Sequence, residues 1–490
     1  MEVAGVWMLV AVAVLMIATG LPAWMLLIGV ALAASAGGIA AGAFTLPLLT
    51  AMPSRVLGLL ESDLLQALPL YVFLGALLNR LPLMEILFRV GSKALARTGC
   101  GMPLAGLGLG VLLAPMNGSV GASVAMLTRT VQPRLDALGI PHERAAALVC
   151  VSSTMGVVIP PSLVLILLGD AMLRAHTEAV NAMAGSVGRA TRIINTQDVF
   201  HGALVPAAIL LLLCIGVTWW MNRPARTDNA RNPRANLTQE PSLQDWITAI
   251  IVTLVIICLL GGVTLGYLYP VEAAASGGVA LFLYGALTGT LTRGALRETL
   301  RDTMAVTGAL FALLVAATVF TLLLRAFETD RWLAALLATL GGGVYGALGA
   351  VLLILALCAF VLDAFEMIFV VIPLVIPPLL MRVPDATWVA VLILLILQAS
   401  FLIPPFGYAI LMVRNRTERH LVSDKLVRAL LPYLIAQLCV LALILAFPRL
   451  VWHDPSMEAT TSAPAPLSDD AIREMIDSQP RPEDPGTRAP

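Results

Sequence analysis

Two stretches put oxygen-bearing side chains where an apolar helix would otherwise run on. Residues 115–126 carry Asn117, Gly118, Ser119, Gly121 and Ser123, and residues 152–162 carry Ser153, Thr154, Gly156, Pro160, Pro161 and Ser162. Glycine and paired prolines weaken a helix, and the backbone groups they free cannot face lipid. At membrane depth such breaks survive inside protein or beside a watery cavity. There, carbonyls, hydroxyls and half-helix ends can hold ions and substrate. Neutral oxygens of this kind suit the hard cation Na⁺. Close helix packing by small residues is the competing reading of 117–123, and the adjoining break at 153–161 favours a site.

A second pair follows near the C-terminus. Leu362-Asp363-Ala364-Phe365-Glu366 runs on to Pro377-Pro378, and Gln398-Ala399-Ser400 precedes Pro404-Pro405-Phe406-Gly407. Asp363 and Glu366 are the only acids in the apolar run 332–384. Intramembrane carboxylates are costly and usually functional, and at i and i+3 these two share one helix face. Three roles are open: the pair could bind a cation or relay protons, or Asp363 could cap the second arm of the hairpin. Gln398 and Ser400 offer polar lining, with Gly407 letting backbone approach. Glu272, after Tyr269-Pro270, reads as a helix-entry carboxylate, and Arg325 as a snorkelling span end.

These residues need membrane helices to hold them. Hydrophobic residues make up 59% of the 490-residue chain and charged residues 12%, with a mean hydropathy of +0.91. That charge content is about half the roughly 25% usual in soluble proteins. The chain therefore reads as an all-α, polytopic integral membrane protein. Zero net charge gives no reason to expect a nucleic-acid partner. The six cysteines are scattered singly and the histidines dispersed, without metal-ligand spacing. The N-terminus lacks a basic region before Arg55 and reads as a first span.

Apolar runs predict ten spans near 4–20, 24–49, 64–79, 142–169, 199–221, 246–268, 272–292, 303–325, 386–413 and 428–450. Two hairpins, at 102–135 and 342–381, re-enter the membrane. Residues 80–101 and 326–341 are expected to be interfacial amphipathic helices. Ile159-Pro160-Pro161 is echoed by Ile403-Pro404-Pro405, and Val72-Phe73 by Val319-Phe320. Residues 1–221 and 246–452 then form two inverted repeats, each with a re-entrant hairpin and a broken helix. Between them lies a polar linker, 222–245, expected to be flexible and cytoplasmic. Residues 170–198 read as a polar loop with room for a short helix, and 453–490 as a disordered tail. Segments 80–101, 129–144, 222–245, 293–302 and 414–428 carry 19 of the 30 Lys and Arg residues, which places them in the cytoplasm.

Enzyme chemistry finds little support. Gly121-Ala122-Ser123 is half of an intramembrane serine protease signature, without a suitable histidine. Neither HExxH nor GxxxxGK[ST] occurs. Transport must then draw on an ion gradient or another subunit.

The chain resembles the large membrane subunit of tripartite ATP-independent periplasmic (TRAP) transporters, and is most similar to the branch labelled for mannitol or chloroaromatic compounds. The matching stretches are 118–124, 155–165, 194–203, 270–274, 362–366 and 398–407, in the family's order. The resemblance implies a Na⁺-coupled, elevator-type importer of small organic acids in the bacterial inner membrane. It implies two partners: a small membrane subunit and a periplasmic substrate-binding protein. No cofactor is implied beyond Na⁺ as the coupling ion. One Na⁺ site would comprise Asn117 to Ser123 (with Gly118 and Gly121) and Ser153, Thr154, Gly156 and Pro160. The other would comprise Asp363, Glu366, Pro404 and Gly407. Substrate would lie between the hairpin tips, near Asn117, Ser119, Ser123, Ser162, Gln398 and Ser400. A self-sufficient Na⁺ or H⁺:dicarboxylate symporter of the same superfamily is the alternative.

Overall fold

The structure is a computed structural model that describes residues 4–42, 52–61, 63–117, 119–183, 194–223, 240–339, 341–360, 362–404, 407–416 and 422–451. Every regular element among them is helical. Seven helices, with 142–183 counted as one, are long and apolar enough to cross a membrane. Five shorter apolar helices accompany them: Ala4–Thr19, Gly101–Leu113, Gly343–Cys358, Ala364–Leu380 and Ala386–Ser400. The middle of the expected linker and all of the expected tail lie outside the described residues. The linker's two ends are helical, since one helix runs to Asn222 and the next starts at Leu243.

Packing pairs equivalent elements of the two halves crosswise. Helix Asp63–Arg80 lies on Pro270–Leu287, and its counterpart Arg293–Ala326 lies on Ala23–Ala40. These four form a scaffold. At the centre, Ala386–Ser400 packs on His142–Val158, the first helix of each broken pair. The two are buried along almost their whole length, as all-round apolar helices must be. The outer half Leu163–Met183 of the first pair packs on arm Ile372–Leu380 of the second hairpin. Likewise, outer half Tyr408–Arg416 of the second pair packs on arm Val120–Thr130 of the first hairpin. Each outer half-helix is thus covered by the opposite half's hairpin.

Both expected interfacial helices are present but shorter. Leu83–Ala94 turns 68° away from Leu65–Arg80 at Leu81-Pro82, where proline cannot continue the hydrogen-bond ladder. It buries Leu83, Met84, Leu87 and Phe88 and turns Glu85, Arg89 and Lys93 outward. Arg89 and Lys93 pair with Asp245 and Glu240 at 3.0 and 2.8 Å. Its counterpart is Thr329–Thr339.

Two expectations need correction. The segment after Gly169 is not a loop with a short helix: Leu163–Met183 continues unbroken for 21 residues, because Leu163, Leu167, Met172, Ala175 and Ala179 form a buried stripe. Arg293–Ala326 starts ten residues before the expected span, with Thr292 as its cap. A helix at Met52–Leu60 adds to the expected elements. Arg325, about one-third exposed, pairs its guanidinium with Glu178 Oε2 at 2.6 Å.

Candidate functional site

In the first broken helix, Pro160 and Pro161 lack the N–H groups that would bond the carbonyls of Gly156 and Val157. Ile159 is extended there (φ −80°, ψ 117°). Ser162 repairs part of the loss: its hydroxyl donates to the Val157 carbonyl at 3.3 Å and accepts from Leu165 N–H at 3.1 Å, opening the outer half-helix. The Gly156 carbonyl has no such replacement in the helix ladder. Beside it is a void of about 10 Å³, lined by Pro115, Ser119, Ser153, Gly156, Ser162 and Leu163. That is room for roughly one water-sized species. Ser119, Ser153, Gly156 and Ser162, all expected site residues, therefore meet around one point.

The first hairpin presses against this break. An added Cβ on Gly110 would sit 2.6 Å from both Cβ and the carbonyl oxygen of Ser152, so only glycine lets the arm approach so closely. At the tip, Ser119 caps the second arm by accepting from Ala122 N–H at 3.1 Å, and Ser123 donates to the Ser119 carbonyl at 3.2 Å. Ser123 is fully buried. Thr154 and Ser153 donate back to Val151 and Cys150 carbonyls, leaving their oxygen lone pairs available. Gly118 and the Asn117 side chain lie outside the described residues.

The second half is built differently. Asp363 caps the hairpin's second arm through Ala364 N–H at 2.7 Å, and Glu366 reaches back to Asp363 N–H at 3.0 Å. Of the three roles open to these carboxylates, capping is the one their geometry displays. In the second break, Pro404 and Pro405 would free the carbonyls of Ser400 and Phe401. Ile403 N–H bonds the first at 3.3 Å and Ala409 N–H the second at 3.2 Å, while Gly407 N–H bonds Ile403 O at 2.9 Å. A Cβ on Gly407 would sit 2.5 Å from the Phe401 oxygen. Ser400 donates to Leu397 O at 2.6 Å, a side-chain bond inside the helix.

Two contacts join the halves at the centre. Gln398, fully buried, points its amide nitrogen at Met155 Sδ (3.9 Å), and its Oε1 has no partner among the described residues. Tyr408 stands between the hairpin tips: its hydroxyl is 3.1 Å from where a Gly121 Cβ would be, and Asp363 and Glu366 lie within its electrostatic reach. Sequence reasoning missed Tyr408. A lone aromatic after a glycine carries no spacing signal, although its place directly after Gly407 made it the first residue of a half-helix.

Wide vestibules of about 820 and 840 Å³ flank the centre. The first is lined by Asn79, Ala122, Arg129, Gln132, Asp136 and Arg416. Arg129 donates to the Asn79 carbonyl at 2.9 Å, tying hairpin to scaffold. Gln132 Oε1, Asp136 Oδ1 and Thr128 Oγ1 are buried there without partners among the described residues, as expected beside water or a polar ligand. The second vestibule occupies the equivalent place in the other half, between outer half-helix 163–183, second hairpin and scaffold. Arg325–Glu178 and Arg174–Asp170 pairs line it.

Comparison with known proteins adds an independent line. The family model described as Tripartite ATP-independent periplasmic transporter, DctM component, matches residues 9–450. The C4-dicarboxylate TRAP transporter large permease protein DctM of Rhodobacter capsulatus is 21% identical over 81% of this chain and 88% of its own length. Its namesake in Pseudomonas aeruginosa is 24% identical over 79% of this chain and 85% of its own. The sialic acid TRAP transporter permease protein SiaT of Haemophilus influenzae is 22% identical over 81% of this chain, which spans 61% of that longer protein. Among solved structures, the Alcanivorax borkumensis YdaH transporter superposes with a TM-score of 0.58 at 16% identity, over 83% of this chain and 89% of that one.

Proposed function

The chain belongs to the tripartite ATP-independent periplasmic transporter family as its DctM component, and from that membership we propose that it couples Na⁺ entry to uptake of a small carboxylate. As a large permease subunit it is a multi-pass protein of the bacterial inner membrane, not an enzyme, and it works with a substrate-binding protein and a membrane partner. The observation that carries the ion proposal is the small void at Gly156, whose lining includes Ser119, Ser153 and Ser162 among apolar neighbours such as Val120, Val157 and Leu163. Neutral oxygens around a space of one water fit a dehydrated monovalent cation. A carboxylate cargo is supported by relatives named for C4-dicarboxylates, sialic acid and 2,3-diketo-L-gulonate. The basic Arg129 and Arg416 on the cytoplasmic vestibule suit the release of an anion.

In this mechanism, Na⁺ pulls the first hairpin tip onto the break and so fixes the cleft between Gly121, Tyr408 and the second tip. Gln398 offers its unpaired amide oxygen to a hydroxyl or protonated group of the cargo. A second Na⁺ at the Asp363–Glu366 tip completes the pair. The hairpins and broken helices then move as a body against the scaffold, with Arg325–Glu178 and Arg129–Asn79 exchanging as the vestibules open in turn. Coupling requires that ion and cargo bind one state differently from the empty protein. The test is uptake of a labelled panel of C4-dicarboxylates, sialic acid and neutral polyols into proteoliposomes holding the chain, its membrane partner and the binding protein. An inward Na⁺ gradient should raise uptake about tenfold or more over choline. Equal rates in the two salts would sink the coupling, and a Na⁺-driven cargo that is not an acid would sink the substrate class.

A further inference from the structure

A third cavity, of about 690 Å³, lies away from the transport path, at the cytoplasmic ends of three helices. Arg144 opens the first broken helix, Trp220 and Met221 close helix Thr196–Asn222, and Lys425, Arg428 and Pro432 belong to the first turns of Ser423–Ala446. Three cations thus face it against one carboxylate, Glu143. Arg144 is fixed by donating to the Met221 carbonyl at 3.2 Å. Arg428 is held only by Asp424 at 3.5 Å, with both side chains more than four-fifths exposed, so it is free to turn into the cavity. Next to it Arg223 stacks 3.5 Å over Trp219, adding a fourth positive charge at the same level.

Above this basic floor the same two helices offer apolar outer faces. Leu212, Leu213 and Trp220 are exposed on one, and Leu431, Ile435 and Leu438 on the other, at helical spacing. The helices meet through Thr218 and Tyr433, whose hydroxyls are 2.9 Å apart, so both stripes run on the sides turned away from that contact. Cations at headgroup depth, a tryptophan at the interface and exposed apolar stripes above are the features of an anionic lipid seat on the inner leaflet.

We propose that Arg144, Lys425 and Arg428, with Trp220, bind the headgroup of an anionic phospholipid whose acyl chains run along the exposed apolar face of helix Thr196–Asn222, over Leu212 and Leu213. Both helices pack on the central broken helices, so this lipid travels with the body that carries the ion site. The ligand is neither cargo nor coupling ion, and the site stands whether or not Na⁺ drives transport.

The full chain with its membrane partner is reconstituted in phosphatidylcholine vesicles doped with brominated phosphatidylglycerol or brominated phosphatidylcholine, and tryptophan quenching is followed. The anionic lipid should quench at a mole fraction roughly tenfold lower, and Trp220→Phe should remove that difference. Lys425→Gln/Arg428→Gln, two exposed changes that leave the fold alone, should cost about fivefold per charge. Equal quenching by the two lipids in the unaltered protein would overturn the proposal, as would a preference untouched by the double variant. Displacement of the brominated lipid by millimolar inorganic phosphate would assign the cavity to free phosphate and overturn the lipid.

Discussion

The two breaks at the centre of the molecule share an outline and differ in chemistry. Each has an Ile-Pro-Pro step, a buried inner helix and an outer half-helix closed by the opposite hairpin. In the second break the backbone mends itself, with the Ile403 and Ala409 N–H groups taking the two carbonyls that the prolines would leave bare. In the first, one carbonyl is mended by Ser162 and the other, on Gly156, has no replacement in the helix ladder and adjoins a small void lined in part by Ser119 and Ser153. Their hairpins differ in the same sense: the first is capped by neutral Ser119, the second by Asp363 and Glu366. One sequence motif, repeated, therefore yields one break with a carbonyl left over and one closed on itself. The second half brings charge to its tip instead.

Substitutions can break or sharpen that contrast. The largest effect is expected from Gly407→Ala, since the new Cβ would meet main chain, which cannot give way. Uptake should fall about a hundredfold and stability by about 1–3 kcal/mol. Gly121→Ala meets only the Tyr408 hydroxyl at 3.1 Å, the end of a side chain, and should cost a few-fold at most. Proteoliposome uptake and melting in detergent measure both, and equal losses would erase the distinction.

Next come the polar centres. Ser153→Ala should raise the half-saturating Na⁺ concentration roughly tenfold with little change in melting, because its hydroxyl only back-bonds within the helix. Gln398→Met removes a buried oxygen that has no partner, so the empty protein should gain up to about 1 kcal/mol while cargo affinity drops about tenfold. A Gln398→Met protein that transports normally would show that the amide serves packing alone.

The caps should respond more mildly. Ser119→Ala should cost about 1 kcal/mol of stability, whereas Asp363→Asn, which keeps a capping oxygen, should stay within about 0.5 kcal/mol. Any loss of Na⁺ affinity in Asp363→Asn then reports the carboxylate's charge and not its cap. Smallest is Glu178→Gln, which breaks a pair about one-third exposed and so screened by solvent. We expect about 0.2–0.5 kcal/mol, with a shift in which vestibule admits a thiol reagent; a double-mutant cycle with Arg325→Gln reads the coupling.

The membrane class, the helical composition and the positions of both breaks were legible in the sequence, because they follow from covalent chemistry. A proline has no N–H wherever it is placed, and a glycine-rich step between apolar runs cannot face lipid. Capping by Asp363 and Glu366 was legible as one option for the same local reason: both bonds close within three residues. The loop expected after Gly169 failed because Asp170, Arg174 and Glu178 made a buried helix look polar. All three find partners: Asp170 and Arg174 pair with each other one turn apart, and Glu178 pairs with Arg325, 147 positions along the chain, which the chain order does not announce.

What the sequence determined by itself is where the ladder is interrupted. Which carbonyl is mended is also settled locally, by the Ser162 hydroxyl and the Ile403 and Ala409 N–H groups within eight residues of the carbonyls they take. What packs against each break was decided only by tertiary structure, since it depends on groups far apart along the chain. Gly110 against Ser152, Gln398 against Met155, Tyr408 against Gly121 and Arg325 against Glu178 are such meetings. A missing donor is a property of one residue and its neighbours, whereas the walls around the gap are a property of whatever the fold brings alongside.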